Sequence, residues 1–372
     1  MIFLDINTSY SDLGGGVKTF HLAKIKWFEK HPEHSYYLCY PSKRPNSVKL
    51  APNIWKVAFY GIPSVNPQYR FLIDYISAFR FIRRVNPDVI EVGDPWVTPW
   101  LAIFCQKTRL LRGQLVHFFH SDPIISNLEP WAEENNGKIR RIVTAAATRL
   151  FYRLQQQFPQ IVVTSPFMEQ NLIAHNVTAI NLVPFGYDPL FRENGFVRRE
   201  NSPKFLYIGR LEPEKGICLL IDALPSLFQI DGFQLTVVGD GQFHDFFQAH
   251  TNPKLTFLGY IEDRNRLVNV FNDHNYLLAP GGYETFHLSA LEAMTNGLIV
   301  IGASKGGTND LVSMYRAPLT FPPNDAKELV KAVEKALAVD VAQRSKESIE
   351  ISETFKCWPD AIEQLINCYM KK

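Results

Sequence analysis

Short runs of β-branched and aromatic residues alternate with longer stretches of helical periodicity from the first residue to about residue 320. In the first half these runs predict strands at 2–6, 36–39, 55–58, 89–92, 115–119, 161–164 and 179–183, with helices near 16–29, 68–85, 96–108, 137–157 and 166–174. From Pro184 through Gly186, Asp188, Pro189 and Arg198 to Pro203 the chain becomes turn-rich and charged, which marks a linker. The alternation then starts afresh, with strands at 205–208, 234–238, 255–258, 276–278, 298–301 and 319–321 and helices at 215–229, 242–249, 262–272, 285–296 and 324–338. Residues 341–372 read as two helices split near Cys357 and Pro359, with no strand after them, and are expected to pack back across the first domain. Alternating strands and helices make parallel sheets covered by helices, an α/β fold. The reading is therefore two consecutive doubly wound domains, 1–190 and 191–340, and a helical tail, 341–372. Such sheets bind ligands beyond the carboxyl ends of their strands, so a cleft between the domains is the expected site.

Composition narrows the class. A chain of 372 residues with 46% hydrophobic and 20% charged residues is globular and long enough for two cores. The opening run from Met1 to Ile6 is too short for a signal peptide and is interrupted by Asp5. No run approaches the roughly 18 apolar residues that cross a bilayer, so a soluble or peripheral protein with a cytosolic address is expected. Cys39, Cys105, Cys218, Cys357 and Cys368 lack CxxC spacing, which argues against a zinc site or disulfide framework and for core thiols. The net charge of +2 is uneven: residues 1–190 carry 20 Lys and Arg against 14 Asp and Glu, a mild basic excess that suits an anionic neighbour. That excess is too small, without a recognised binding module, to support nucleic acid as a partner.

The richest stretch runs from Glu284 through His287 to Glu292, followed by Gly297 and the pair Gly306 and Gly307. It reads as a loop running into a helix, with Glu284 near the helix start. Residues eight apart return to roughly one helix face, so both carboxylates are expected to look into one cleft. Gly209, Arg210, Glu212, Glu214, Lys215 and Gly216 follow the first strand of the second domain, where Arg210 can fork onto phosphate oxygens and Lys215 adds a compact charge. The competing reading is a salt bridge from either cation to Glu212, Glu214 or Glu284. Gly239 and Gly241 flank Asp240 at the end of the next strand, and Gly259 and Tyr260 follow the third, where a backbone can approach a phosphate or a flat ring. An ordinary turn accounts for either stretch equally well. In the first domain, Ser11 to Gly16 places Gly14, Gly15 and Gly16 at a helix start, an anion site by its backbone donors and dipole. Its spacing fits neither a dinucleotide fingerprint nor a P-loop. His120 lies past a hydrophobic run and can face the cleft, whereas His117 sits within the strand; a structural histidine is the alternative. No Asp-x-Asp pair occurs, so no metal is expected, and Arg210 with Lys215 would stabilise a leaving phosphate electrostatically.

These motifs fall in a familiar order. The stretches 209–216, 239–241, 258–260 and 284–307 resemble those of family 4 glycosyltransferases, and the Gly14 to Gly16 loop, His120, Thr164 with Ser165, and Val183 to Asp188 resemble positions of the same family in the first domain. The stretches from Asp88 to Trp96 and Phe118 to Asp122 are similar to its bacterial α-mannosyltransferase branch. The resemblance implies the GT-B fold, two Rossmann-like domains facing a cleft, and retaining transfer from a nucleotide-diphosphate sugar, either GDP-mannose or a UDP-sugar, with no cofactor. It implies that Arg210 and Lys215 hold the diphosphate, that Glu284 meets sugar hydroxyls and Glu292 the ribose, and that backbone donors at Phe286, His287 and Leu288 touch sugar or phosphate. Gly15, Gly16, Gly209, Gly239, Gly241 and Tyr260 would complete the donor site, and His120 would stand near the anomeric carbon. Thr285 and His287 replace the family's usual small residues, and Thr308, Asn309 and Asp310 follow Gly307 where Pro-Glu is common, so the sugar pocket is expected to differ.

The helix from Lys138 through Arg140, Arg141, Arg149, Phe151, Tyr152 and Arg153 to Phe158 mixes basic and aromatic residues. It suits an anionic membrane surface and a glycolipid or saccharide acceptor, with the protein peripheral on the inner face; an ordinary domain helix is the alternative. The competing functions are a GT-B nucleotide-sugar epimerase and an inactive nucleotide-sugar-binding subunit. A paired-carboxylate glycosidase is disfavoured because the resemblance gives neither glutamate a nucleophilic role. Glu284→Gln is expected to damage sugar handling and Glu292→Gln nucleotide affinity; titrations with a free nucleotide and its sugar conjugate check this, and equal loss of free-nucleotide binding in both variants contradicts it.

Overall fold

A computed structural model describes residues 1–11, 15–64, 69–95, 97–128, 138–198 and 203–371. Asp12 to Gly14 of the glycine-rich loop, Trp96, and Arg199 to Ser202 of the expected linker lie outside the described residues, as does the Lys138 side chain. The chain divides into two compact units: residues 1–164, 168–184 and 359–372 form the first, and residues 165–167 and 185–358 the second.

The first unit holds a nine-stranded sheet of β1 (Ile2–Ile6), β2 (Ser35–Ser42), β3 (Asn46–Ala51), β4 (Ile54–Pro63), β5 (Arg70–Leu72), β6 (Val89–Val92), β7 (Gln114–Phe118), β8 (Ile161–Val163) and β9 (Ile180–Leu182). Their order is β3-β4-β2-β1-β6-β7-β8-β9, with β5 beside β4. The parallel strands are those the hydrophobic pattern predicts. β3 and β5, both antiparallel to β4, are not. β3 is exposed along almost its whole length and β5 has three residues, so neither leaves a hydrophobic run to read.

The centre of this sheet is charged. Asp5 of β1 and Glu91 of β6 are register partners on adjacent parallel strands, and their side chains share a face. Lys24, from the helix Gly16–Lys30, donates to Asp5 Oδ2 at 2.5 Å and to Glu91 Oε2 at 2.7 Å, all three fully buried. Tyr36 donates to Asp5 at 2.6 Å, and Tyr369 of the helix Trp358–Met370 donates to Glu91. Burial pulls the Asp5 carboxyl up, but Lys24 and His21 outweigh it and hold the group at about 2. At Glu91 burial and the adjacent Asp5 charge win over Lys24 and Tyr369, and the carboxyl is pushed up to about 7.

The second unit carries six strands, β10 (Lys204–Ile208), β11 (Gln234–Val238), β12 (Leu255–Gly259), β13 (Tyr276–Ala279), β14 (Ile299–Ala303) and β15 (Thr320–Phe321), all parallel in the order β12-β11-β10-β13-β14-β15. The order reverses between β10 and β13, the switch point at which such sheets take ligands. The helix Ile217–Leu227 packs against the helix Ala326–Leu337 over one face of this sheet, around Phe205, Leu220, Leu235, Val237, Ile301 and Val333.

Three expectations are corrected. Of the two C-terminal helices, only Trp358–Met370 lies in the first unit; Val341–Ser352 packs against the helix Leu288–Thr295 and β14, with Ser345 donating to Gly297 O at 2.6 Å. The charged linker is not solvated at Arg198: its guanidinium is buried and donates to Asn296 O and Oδ1, Phe271 O, His274 O and Phe196 O, satisfying carbonyls at several helix ends. Among the cysteines only Cys39 is buried, and Cys218 is exposed. No described helix is long and apolar enough to cross a membrane.

Two variants test the charged centre. Lys24→Met strands two carboxylates and is expected to lower stability by about 3–5 kcal/mol in denaturant titrations. Folded Glu91 keeps its proton up to about 7, whereas an ordinary carboxyl releases it near 4.5. The folded state therefore binds more protons in that window, and stability falls as pH rises through it. Glu91→Gln is expected to flatten this slope, and an unchanged slope contradicts the assignment.

Candidate active site

The carboxyl end of β10 runs into Gly209, Arg210 and Leu211, then one tight turn over Pro213–Lys215 and the helix Ile217–Leu227. Both cations are ion-paired, as the competing sequence reading allowed. Arg210 Nη2 donates to Glu214 Oε1 at 2.8 Å, and Lys215 Nζ donates to both oxygens of Glu284 at 2.8 and 2.7 Å. Each cation keeps about 25% of its side chain exposed, so both remain within reach of a ligand. Burial raises the Glu284 carboxyl, but Lys215, His287 and Arg210 outweigh it and hold the group below its usual range. Glu284 is a carboxylate bound through both oxygens, poorly placed to attack carbon.

The glycines around Asp240 serve a different contact from the one expected. Gly239 has φ +147°, and a Cβ there would lie 1.8 Å from Gly209 O, so no other residue fits. Gly241 packs in the same way on Leu211, whose N–H donates to Asp240 O at 2.9 Å. These glycines bring one loop backbone against another and thereby hold the Arg210 loop in place. Gly239 N–H donates to Gly259 O at 2.9 Å, and Tyr260, next in the chain, is half exposed.

The stretch after β13 is tied down by its partner loop. Gly306 has φ +73°, and a Cβ there would meet Glu284 O and Gly282 O at 2.9 Å; Gly307 N–H donates to Glu284 O at 2.6 Å. The helix Leu288–Thr295 begins four residues after Glu284, with His287 at its N-cap and no capping side chain. Glu284 therefore lies in the loop, and the helix-face argument that joined it to Glu292 does not hold. Phe286 is buried, edge-on to Phe185 and Phe355, and leaves only its backbone to a ligand. Helix N-termini leave their first N–H groups without intrahelical partners, so the backbone at Leu288 and Ser289 is placed to meet an anion.

Glu292 engages a cation that sequence reasoning missed. Arg264 Nη2 donates to Glu292 Oε1 at 2.5 Å while its Nε reaches Asp188 Oδ2 at 3.4 Å, and the guanidinium lies 4.6 Å from the Phe191 ring centroid. Burial pushes the Glu292 carboxyl up, partly offset by Arg264. The only local signal was Asp263 capping the helix Arg264–Asn272, which places Arg264 in its first turn. Asp310, three residues after Gly307, accepts from Phe167 N–H at 2.7 Å and is engaged there.

In the first unit, Gly15 has φ +93° and precedes the helix Gly16–Lys30, and both glycines have open space around them. His120 follows β7 and packs on Phe118 and Phe20 at centroid distances of 4.4 and 5.3 Å. Burial, reinforced by His21 and Lys24, holds it well below the usual histidine value, so the imidazole is neutral. His117 lies within β7, bonded to Gln155 at 2.6 Å, and burial lowers it to about 4. In the helix Lys138–Gln155, Phe151 and Tyr152 are core residues, which corrects the expectation of exposed aromatics, as does buried Phe158 just beyond it. Among its described side chains the large exposed apolar residues are Ile142, Val143 and Leu150.

Comparison with known proteins joins these features. Residues 14–190 match the family Glycosyltransferase Family 4 and residues 192–350 the family Glycosyl transferases group 1. An uncharacterized glycosyltransferase of Methanocaldococcus jannaschii is 26% identical over 38% of this chain and 37% of its own length. A GDP-mannose-dependent alpha-mannosyltransferase of Mycolicibacterium smegmatis is 26% identical over 77% of this chain and 74% of its own length. A glycogen synthase of Mycobacterium tuberculosis is 32% identical over 68% of this chain, which spans 61% of that protein. The chain thus spans between about a third and three quarters of these relatives. The structure of sucrose-phosphate synthase from Thermosynechococcus elongatus superposes with a TM-score of 0.77 at 19% identity, over 99% of this chain and 98% of that one, which shows a shared GT-B fold. Two family matches that abut near residue 191, two predominantly parallel α/β sheets and a carboxylate held by a cation at the carboxyl end of β10 lead to one conclusion: this chain belongs to the family 4, group 1 glycosyltransferases.

Proposed function

We propose that the chain transfers a hexose from a nucleoside-diphosphate sugar to a lipid-linked or saccharide acceptor, with retention and without a metal, in glycolipid or surface-polysaccharide synthesis. The observation that carries this reading is the arrangement at the β10 and β13 ends. Arg210 and Lys215, both partly solvated, stand on the loop after β10, and the stretch after β13 carries the Lys215 partner Glu284 and then the uncapped start of the helix Leu288–Thr295. Two cations and free backbone donors are what a diphosphate needs, and a preorganised set also stabilises the charge that builds on it as the glycosidic bond breaks. The acceptor oxygen attacks the anomeric carbon from the face the phosphate leaves, and its proton passes to the departing phosphate oxygen. Glu284 stays a carboxylate paired with Lys215 and binds hydroxyls of the sugar. Arg264 with Glu292 would frame the ribose. The relatives whose printed names bear on the donor differ, one being GDP-mannose-dependent and another a glycogen synthase, so GDP-mannose and a UDP-sugar are both carried forward.

The acceptor side of this reading draws on the first unit. The helix Val97–Lys107 exposes Val97, Trp100, Leu101 and Phe104, which share one helical face, and Lys107 donates to Gln157 just beyond the helix Lys138–Gln155. Neither helix contains an acidic residue. Apolar faces with basic flanks suit an anionic lipid surface, which would bring the protein to a lipid-linked acceptor at the inner face of a membrane.

A thermal-shift titration with UDP, GDP, ADP and their sugars tests the donor site. The right nucleotide at about 100 times its dissociation constant is expected to stabilise the fold by about 2.7 kcal/mol. Lys215→Ala is expected to weaken that binding at least tenfold, about the worth of one charge-assisted hydrogen bond. No shift with any nucleotide sinks the donor assignment. Separately, Trp100→Ser combined with Phe104→Ser is expected to reduce cosedimentation with phosphatidylglycerol vesicles without altering nucleotide binding; unchanged sedimentation removes the membrane surface from the reading.

A further inference from the structure

His287 and Thr308 stand at two positions where this chain departs from the family pattern, and the structure joins them. Thr308 Oγ1 donates to Gly281 O at 3.0 Å, which uses its one proton. His287 Nδ1 lies 2.8 Å from the same oxygen, so it can bond only as the donor. The proton of a neutral imidazole is thereby fixed on Nδ1, and Nε2 is left as a lone-pair acceptor. Burial, with a smaller contribution from Lys215 and against the pull of Glu284, keeps the ring neutral. Nε2 has no hydrogen-bond partner among the described residues and is not among the enclosed, unsatisfied polar atoms.

The same glycine holds the sugar-facing carboxylate. Gly281, whose carbonyl anchors Thr308, sits under Glu284: a Cβ there would lie 3.2 Å from Glu284 Cγ and 3.4 Å from Oε1. The charged groups that act on His287 are Glu284 and Lys215, while Asp310, on the helix Gly306–Val312 that carries Thr308, is engaged by Phe167. An acceptor lone pair beside a bound nucleotide sugar is repelled by ionised phosphate oxygens and needs a donor, which the hydroxyls of the transferred sugar supply. Resting on the donor-site reading above, we propose that His287 Nε2 accepts a hydrogen bond from one hydroxyl of the transferred sugar, making His287 a specificity-determining residue and Thr308 the residue that positions it.

The test uses the full chain and four probes, UDP, UDP-glucose, GDP and GDP-mannose, titrated against wild type, His287→Ala, His287→Gln and Thr308→Val. His287→Ala is expected to weaken the bound sugar nucleotide about tenfold, the worth of one hydrogen bond, and to leave the matching free nucleotide unchanged. His287→Gln keeps an acceptor and is expected to recover most of the loss. Thr308→Val is expected to weaken the sugar nucleotide alone. In wild type, sugar-nucleotide affinity falls with pH below the usual histidine range as Nε2 takes a proton, and in His287→Gln it does not. Equal losses for nucleotide and sugar nucleotide in His287→Ala, or no loss in either, overturn the proposal while leaving the donor site standing. A wild type that binds none of the four probes, nor ADP or its sugars, sinks the donor-site reading, and this proposal with it.

Discussion

A single ammonium group organises the first unit. Lys24 Nζ sits between two carboxylates on adjacent central strands, and the helices and strands that meet there do so because each supplies a group the charge requires: Asp5 from β1, Glu91 from β6, Tyr36 from β2 and Tyr369 from the last helix. A buried cation left unpaired would be prohibitive, and a pair of buried carboxylates without it nearly so. The cluster thus fixes the register of β1 on β6 and recruits the C-terminal helix in one operation. Register errors would leave the ammonium facing apolar side chains.

The second unit uses the same device at two depths. Arg198 is deepest and binds only backbone and amide oxygens, which makes it a fastener. Arg264, about a third exposed, spans Asp188 and Glu292. Lys215 and Arg210, each about a quarter exposed, stand at the carboxyl end of β10. The contrast with Arg198 bears on the proposed function, because a cation already paired in a dry interior cannot exchange partners, whereas a partly solvated one could pass from a carboxylate to an incoming phosphate at lower desolvation cost. Loop geometry keeps Arg210 and Lys215 in place: Gly239 rests on Gly209, and Gly306 on the backbone of Gly282 and Glu284, so the loops at these strand ends are braced.

Much of this was legible in the hydrophobic pattern. Every parallel strand, with bounds shifted by a few residues, follows from runs of β-branched and aromatic residues, since a strand buried on both faces takes polar residues only where, like Asp5 and Glu91, they find buried partners. The motif that contains Arg210 and Lys215 announced itself through charge at a strand end. What escaped was of two kinds. β3 and β5 carry little burial and hence little signal. The roles of Arg198 and Arg264 could not be read either, because a cation's burial and pairing depend on oxygens contributed from elsewhere in the fold, and those are invisible along the chain. The Glu284 and Glu292 spacing misled for a related reason: eight residues describe one helix face only if all eight are helical, and the helix starts at Leu288.

The sequence by itself determined the α/β class, the two successive sheets and the family, because periodicity and motif order are local properties that burial imposes on every strand and turn. Tertiary structure alone decided who pairs with whom. It gave Lys215 to Glu284, Arg264 to Glu292, Lys24 to Asp5 and Glu91, and the His287 proton to Nδ1 through Thr308. Each of these is a choice among partners distant in the chain, made by distance and desolvation after folding brings them together, and no spacing rule encodes it.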